Sequence, residues 1–232
     1  MVNKIKKIIF AIRNGIFLHC LKYNTWPAVE HYNEIKNLDF DILIDVGANK
    51  GQFSKLVQIV NSNCIIYAFE PVSRAYQVLK TFCHNENFHS FNHAVGSKTD
   101  EKNIIVSRSH DNSSFLAPTS KQDKLSGGKS KFKYLEKSTI KMLDELNINK
   151  SNNCLLKIDV QGYELEVLKG AHKTLKSIKY LIIEVSRHRL YEGQSIEDEV
   201  IGYLEERNFT KLHSYNNNPN SQSDILFINS DI

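Results

Sequence analysis

The chain has 232 residues, of which 41% are hydrophobic and 24% charged, as expected for one sizeable globular domain or one domain with an appendage. Its net charge of +4 is too small to indicate nucleic-acid binding by itself. The four cysteines stand far apart and form no C-x-x-C pair. We therefore predict neither a zinc site nor a disulfide framework, and we expect a cytoplasmic protein.

Residues 1–38 predict a short helical extension that precedes the main domain. Its apolar run is too short for a signal sequence or a bilayer span. Two interpretations remain open: a helix packed on the main domain or on a second copy in a homodimer, and a basic amphipathic helix within residues 1–20 that contacts the inner face of a membrane. Both depend on one helical face, which carries Ile5, Ile8, Ile9, Ile12 and Ile16.

From residue 39 to 232 the chain alternates strand-like and helix-like segments. This alternation predicts a mostly parallel sheet covered by helices on both faces. The final strands, 209–215 and 224–229, predict a terminal antiparallel hairpin joined by the turn NNNPNSQ. Earlier strands are predicted at 41–46, 64–70, 88–95, 103–107, 154–159 and 180–186. Helices are predicted at 50–61, 72–85, 139–146, after Gly162, and at 195–208 with Ser195 as N-cap.

The lysine-rich segment 121–137 interrupts this alternation. Its polar composition and its Gly-Gly pair predict a flexible solvated loop. The alternative is a lid that closes over an anionic acceptor, such as a nucleotide-linked or lipid-linked sugar.

The stretch LIDVGANKGQF, residues 43–53, places Asp45 in an apolar strand just before a glycine turn. A buried acid needs a hydrogen-bond partner, from the backbone or from a ligand. The glycine spacing is GxxxG rather than GxGxxG, so it does not match the dinucleotide fingerprint. Glu70 ends the second strand, where a carboxylate can accept hydrogen bonds from both ribose hydroxyls. Together these features predict a site for a nucleoside without a phosphate chain.

The glycine turn and Glu70 resemble motif I and the ribose acid of S-adenosylmethionine-dependent methyltransferases. The segment LKIDVQGYELEVLKGA, residues 156–171, resembles the signature of the FkbM-family methyltransferases. FEP at 69–71, NSSF at 112–115 and IIEVS at 182–186 are similar to the same family, so the resemblance runs from about residue 40 to 230.

The resemblance implies a class I, Rossmann-like methyltransferase sandwich with S-adenosylmethionine as cofactor. It implies O-methylation of a hydroxyl on a sugar, glycan, glycolipid or related small molecule. Asp45 would then lie near the cationic amino-acid end of the cofactor. The residues expected to contact the cofactor are Asp45, Gly47, Ala48, Asn49, Gly51, Phe53, Glu70, Pro71, Ala94, Ser113 and Asp159.

Three residues are candidates for catalysis. Asp159 ends the fourth core strand, where its carboxylate can orient the acceptor hydroxyl or take its proton. His188 is an alternative base, and Glu184 could orient His188 or join Asp159 around a divalent cation. Two carboxylates are too few to predict a metal site. Each of the three residues also has a purely structural interpretation, as a capping acid or a loop histidine.

Three other functions fit parts of the pattern. A nicotinamide-dependent oxidoreductase shares the architecture, but the absent GxGxxG argues against it. An RNA ribose methyltransferase would use Lys157, Asp159 and Glu184, but the small net charge and the lack of an aromatic-studded basic groove argue against nucleic acid. A non-catalytic domain that keeps the cofactor is the third.

Overall fold

A computed structural model describes residues 4–108, 110–149, 151, 153–215 and 222–232. The helices are α1 (Lys4–Arg13), α2 (Phe17–Tyr23), α3 (Tyr32–Ile35), α4 (Gln52–Val60), α5 (Ser73–Phe82), α6 (Ser120–Leu125), α7 (Glu164–Lys169) and α8 (Glu197–Glu205). The strands are β1 (Ile42–Val46), β2 (Ile65–Phe69), β3 (Phe88–Phe91), β4 (Ala94–Val95), β5 (Asp100–Ser107), β6 (Phe132–Lys141), β7 (Cys154–Ile158), β8 (Ile178–Ser186), β9 (Phe209–Tyr215) and β10 (Gln222–Asn229).

The main sheet has seven strands in the order β3-β2-β1-β7-β8-β10-β9. β1 lies between β2 and β7 and is parallel to both, and β10 runs antiparallel between β8 and β9. This order confirms the predicted mostly parallel sheet with a terminal antiparallel hairpin. The predicted turn at 216–222 lies outside the described residues except for Gln222, which begins β10.

Alternate residues of the central strands supply two hydrophobic layers, one on each face of the sheet. Ile42, Ile44 and Val46 of β1 belong to one layer, whereas Leu43 belongs to the other. The second layer also contains residues from the N-terminal segment, including Ala11 and Cys20. All four cysteines are buried and free, in agreement with the absence of a disulfide framework.

A second, three-stranded sheet, in the order β4-β6-β5, corrects two sequence predictions. The predicted strand 88–95 is divided, because β3 joins the main sheet and β4 pairs with β6. The predicted helix 139–146 is wrong: β6 runs to Lys141, and a short 3-10 turn follows at Leu143–Glu145. Burial alternates along β6, with Ser138 and Ile140 buried and Lys141 exposed, which is the period of a strand.

The segment 121–137 is not a flexible loop. Most of its first part is helical in α6, where the Thr119 hydroxyl accepts a hydrogen bond from the Gln122 N–H at the N-terminus of the helix. Its last part is the beginning of β6. The start of α8 differs as well: Ile196 is the N-cap in place of Ser195, and the Glu199 carboxylate accepts a hydrogen bond from the Ile196 N–H.

α1 packs on the domain through a face other than that of Ile5, Ile9 and Ile12, whereas Ile16 of the predicted stripe, just beyond the helix, packs against the core. Ala11 is buried and Phe10 packs against the core, whereas Ile5, Ile9 and Ile12 are exposed. In the described part of the chain, no helix combines the length and the apolar character needed to cross a bilayer.

Candidate active site

A cleft of about 310 Å³ opens beyond the carboxyl ends of β1, β2 and β7. Ligands of open α/β sheets bind at this position, where the strand order reverses. The turn after β1, the end of β2, the start of β4 and the turn after β7 all contribute to its walls. The predicted site residues that line the cleft are Asp45, Gly47, Ala48, Asn49, Phe53, Glu70, Pro71, Ala94, Ser113 and Asp159.

Gly47 brings the turn after β1 into direct contact with the turn after β7. Its φ is +82°, and a Cβ at this position would lie 1.9 Å from the carbonyl oxygen of Asp159. The N–H groups of Gly47 and Ala48 both donate to the carbonyl of Phe69, each at 3.0 Å. Only glycine combines this backbone conformation with so close an approach.

Asp45, the acid buried in β1, has its partner in α4. The Ser54 hydroxyl donates to Asp45 Oδ2 at 2.6 Å. Burial raises the pKa of Asp45 to about 6, although the Ser54 hydrogen bond and the Lys157 ammonium act in the opposite direction. The side chain also lines the cleft, so it is available to a cationic ligand in its ionised form.

Glu70 connects the glycine turn to the start of α5. Its Oε2 accepts from the Asn49 N–H and its Oε1 from the Val72 N–H, both at 2.8 Å. Burial raises the pKa of Glu70 to about 7, and these two hydrogen bonds oppose the increase. A carboxylate oxygen can accept a second hydrogen bond, so Glu70 can hold its own loop and still accept from ligand hydroxyls.

Lys157 and Asp159 form an ion pair at the centre of the cleft, with 3.3 Å between Nζ and Oδ2. The Lys157 side chain is 3% exposed and the Asp159 side chain 38%. Burial raises the pKa of Asp159, but the Lys157 ammonium and the Gln161 amide outweigh it, so the pKa is lowered. Asp159 therefore presents an ionised carboxylate to the cleft.

Gln161 links Asp159 to Glu184. Its amide nitrogen donates to Asp159 Oδ1 at 3.0 Å and to Glu184 Oε2 at 2.8 Å, and its oxygen accepts from the Tyr191 hydroxyl at 2.9 Å. Glu184 does not line the cleft, and burial followed by repulsion from Asp159 raises its pKa well above the usual range. Glu184 is therefore connected to the cleft through the Gln161 amide, and it also accepts a hydrogen bond from the Gln222 amide at 2.6 Å.

The Asp159 and Glu184 carboxylates do not surround a cation position, because the amide of Gln161 lies between them. More generally, no cluster of three or more His, Cys, Asp or Glu side chains suited to a metal ion occurs in the described ranges.

Two predicted site residues lie elsewhere. His188 is exposed, beyond the end of β8, and does not line the cleft, so the structure gives no support to a catalytic role. Gly51 does not line the cleft either: a Cβ there would lie 2.4 Å from Cys83 Sγ, and its φ is +87°. Gly51 therefore allows close packing between α4 and α5, and its place in the structure gives no support to a cofactor contact.

The N-terminal segment supplies a wall of the cleft through residues that were not predicted individually. Lys7, Glu30 and His31 all line it, and Lys7 Nζ lies 3.0 Å from Glu30 Oε2. His31 Nδ1 lies 2.8 Å from the Tyr215 hydroxyl. Burial, followed by the Lys157 ammonium, lowers the pKa of His31 to about 3, so this histidine is neutral. These residues belong to no motif, and packing alone brings them to the site.

The cleft suits S-adenosylmethionine, which carries a cationic sulfonium and an ammonium group. Asn49 Oδ1 is buried and has no hydrogen-bond partner among the described residues, so it can accept from a ligand donor. Asp45 and Asp159 also line the cleft and supply negative charge, and Glu70 directly follows β2. Apolar side chains complete the walls, among them Phe69, Ile104 and Phe115.

Comparison with known proteins agrees with this geometry. A family model described as the methyltransferase FkbM domain matches residues 45–211. Hexuronic acid methyltransferase AglP of Haloferax volcanii is 31% identical over 151 residues, which are 62% of this chain and 56% of AglP. The chain thus spans little more than half the length of that relative.

Solved structures show the same fold at low identity. TehB from Haemophilus influenzae has a TM-score of 0.54 at 10% identity, covering 94% of this chain and 67% of TehB. A TehB-like SAM-dependent methyltransferase from Corynebacterium glutamicum has a TM-score of 0.50 at 8% identity, covering 98% and 100% of the two chains.

These matches confirm the class I methyltransferase fold, and S-adenosylmethionine is the cofactor that this family uses. The family match covers more than half of the 232 residues and includes the glycine turn, Glu70 and Asp159. The chain belongs to the FkbM family of methyltransferases.

Proposed function

We propose that the protein transfers a methyl group from S-adenosylmethionine to a hydroxyl group of a sugar. The observation that carries this proposal is the Asp159 carboxylate, which is ionised, partly exposed and held in the cleft beside the Gly47 turn. The hexuronic acid named as the substrate class of AglP supports a sugar acceptor.

Each part of the cleft has one task in this reaction. The turn at Gly47 and the Glu70 carboxylate hold the cofactor, which supplies an electrophilic methyl group when bound. Asp159 accepts a hydrogen bond from the acceptor hydroxyl and directs its oxygen toward the methyl carbon. It takes the hydroxyl proton as the new C–O bond forms and the C–S bond breaks. A positioned base of this kind contributes roughly 10²–10⁴-fold, and alignment of the two reactants adds several kcal/mol.

The charge of the cleft favours a weakly charged acceptor over RNA. The acids among its described lining residues are Glu30, Asp45, Glu70, Asp111 and Asp159, against the cations of Lys7 and Lys157. Both lysines are already paired with carboxylates. A polyphosphate backbone would meet net repulsion there, whereas one sugar carboxylate could still reach Lys7 at the rim.

The test is methyl transfer from labelled S-adenosylmethionine to a panel of neutral hexosides, hexuronates and a short RNA. We expect a methylated sugar with the wild type and a loss of at least about 100-fold in kcat with Asp159→Asn. The affinity for S-adenosylhomocysteine, measured by calorimetry, should change only a few-fold, because this product lacks the sulfonium charge that the Asp159 carboxylate would attract.

Asp198→Asn is the control, because Asp198 is an exposed acid of α8 outside the cleft. Full activity of Asp159→Asn would contradict the proposed role of Asp159. Methyl transfer to RNA alone would contradict the proposal that the acceptor is a sugar. Binding of NADH instead of S-adenosylhomocysteine would contradict the proposal and favour a nicotinamide-dependent dehydrogenase.

A further inference from the structure

α1 presents two faces of different character. Lys7, Phe10 and Ala11 point toward the domain: Lys7 pairs with Glu30, Phe10 meets the ring of Tyr32 edge-on, and Ala11 is fully buried. Successive residues of an α-helix are turned by about 100°, so the opposite side carries a second set of side chains. That set is apolar and exposed: Ile5, Ile9 and Ile12 expose 59%, 44% and 58% of their surface.

Cations flank this apolar face on both sides. Lys4 lies on one side, and Lys6 and Arg13 lie on the other, each about 70–110° from the centre of the isoleucines. All three are exposed. α2, which packs against α1, continues the pattern with exposed Leu18, Leu21 and Lys22. The first 29 residues contain no Asp or Glu, so nothing on these helices neutralises the cations.

We propose that this face of α1, which carries Ile5, Ile9 and Ile12 between exposed cations, docks on the surface of an anionic membrane. Isoleucines of a helix that lies parallel to the surface enter the boundary between headgroups and acyl chains, while flanking lysines and arginines reach the lipid phosphates. Each cation near an anionic surface adds to the attraction. A nucleic acid would pair its phosphates with the cations but would leave the isoleucines exposed to water.

A second copy of the chain fits this face less well. A symmetric dimer places the same patch of both subunits in contact. Lys4, Lys6 and Arg13 of one copy would then approach those of the other, and neither α1 nor α2 supplies an acid to pair with them. An anionic bilayer can bury the apolar side chains and pair with the cationic side chains at the same time.

This orientation has a geometric consequence for the cleft. Lys7 lines the cleft from the side of α1 that faces the domain. A membrane-bound α1 would therefore hold that wall about one helix diameter, roughly 10–12 Å, from the headgroups. The docking proposal concerns the surface alone and does not depend on which acceptor the cleft binds.

The experiment is co-sedimentation of the full chain with phosphatidylcholine vesicles, prepared with and without phosphatidylglycerol. We expect binding to the anionic vesicles that weakens at high NaCl, because salt screens the cations. The variant Ile5→Ser/Ile9→Ser/Ile12→Ser should bind at least about tenfold more weakly. Phe132→Ser/Leu135→Ser is the matched control, since it removes two exposed apolar side chains from β6 and should bind like the wild type.

Three results would overturn the proposal. The first is no binding of the wild type to anionic vesicles, and the second is binding that the isoleucine variant retains. The third is a wild-type dimer that becomes monomeric in the isoleucine variant without any vesicle binding, which would assign the face to a second copy. Light scattering of both proteins distinguishes the oligomeric states, and circular dichroism of the variant shows that it is folded.

Discussion

Glu70 performs two tasks with one carboxylate. Its oxygens accept hydrogen bonds from the N–H groups of Asn49 and Val72, and Glu70 also lines the cleft where the ribose is expected. Burial raises its pKa to about 7, so the fraction of the ionised form changes within the physiological range. Cofactor affinity should therefore depend on pH through this residue.

We expect the Kd for S-adenosylhomocysteine to increase as the pH falls. The ionised carboxylate is the form that accepts hydrogen bonds from both hydroxyls, and protonation removes part of that capacity. Binding is strongest above the pKa of about 7 and weakens below it, by at most about tenfold between pH 8 and pH 6. Calorimetric titration across this range measures the effect.

Glu70→Gln keeps one acceptor oxygen and cannot ionise, so its Kd should be higher and lose the part of the pH dependence centred near 7. Glu101→Gln, at an exposed carboxyl outside the cleft, should behave as the wild type. A pH dependence that is identical in Glu70→Gln and the wild type would show that another group is responsible. Asp45, with a pKa of about 6, would be the first to examine.

The strand-end residues of the site were predictable and the N-terminal ones were not. Glu70 and Asp159 follow apolar strands, and parallel strands bring their carboxyl ends to one edge. Lys7 and His31 carry no comparable signal, because they reach the cleft only through the packing of α1 and the segment after it. The structure gives the catalytic prediction for His188 no support, because this residue is exposed beyond the end of β8 and does not line the cleft.

At the scale of elements, periodicity predicted the parallel core and missed the second sheet. The core strands are short apolar runs bounded by turns, and such runs are typical of buried strands. TIKMLDEL allowed a helical pattern, but residues 132–141 pair with β5 and alternate in burial. Pairing between β5 and β6 is a tertiary effect, which the local sequence of 139–146 does not reveal.

Gly51 illustrates how one residue fixes the packing of two helices. We expect Gly51→Ala to lower the free energy of unfolding by about 1–2 kcal/mol for its positive φ and by a further ~1–3 kcal/mol for the contact with Cys83. Urea denaturation followed by circular dichroism measures both contributions together.

Gly193→Ala separates the two contributions. Gly193 also has a positive φ, of +75°, but a Cβ there would have no neighbour within 4 Å. This variant should lose only the conformational part, about 1–2 kcal/mol. Equal losses for Gly51→Ala and Gly193→Ala would mean that α5 moves away from α4 at little cost.

For the whole molecule, the N-terminal segment shares a hydrophobic layer with the main sheet. Ala11, Cys20, Ala28 and Ile35 are buried in the same hydrophobic layer as Leu43 of β1. The division at residue 38 remains a prediction from sequence patterning, yet the described contacts join both sides of that boundary. Such shared burial should make the two parts unfold together.

The single tryptophan makes this testable. Trp26 lies in the N-terminal segment and packs beside Phe17 against the core. Its fluorescence reports this segment, while far-UV circular dichroism reports all helices and strands. We expect both signals to change at the same urea concentration, as in a two-state transition. A fluorescence change at clearly lower urea would show that the segment detaches before the sheet unfolds.

The contact between Gly47 and Asp159 constrains how this enzyme can be altered. The carbonyl oxygen of Asp159 occupies the place that a Cβ at Gly47 would take, so the turn after β1 and the turn after β7 are in direct contact. In the proposed function, the first turn holds the methyl donor and Asp159 faces the acceptor. A side chain at Gly47 would displace both turns at once. Variants at Gly47 should lose cofactor affinity and turnover together. Mutagenesis of Gly47 therefore cannot separate these two properties. Substitutions of Glu70 and of Asp159 are the ones that should change the two properties separately.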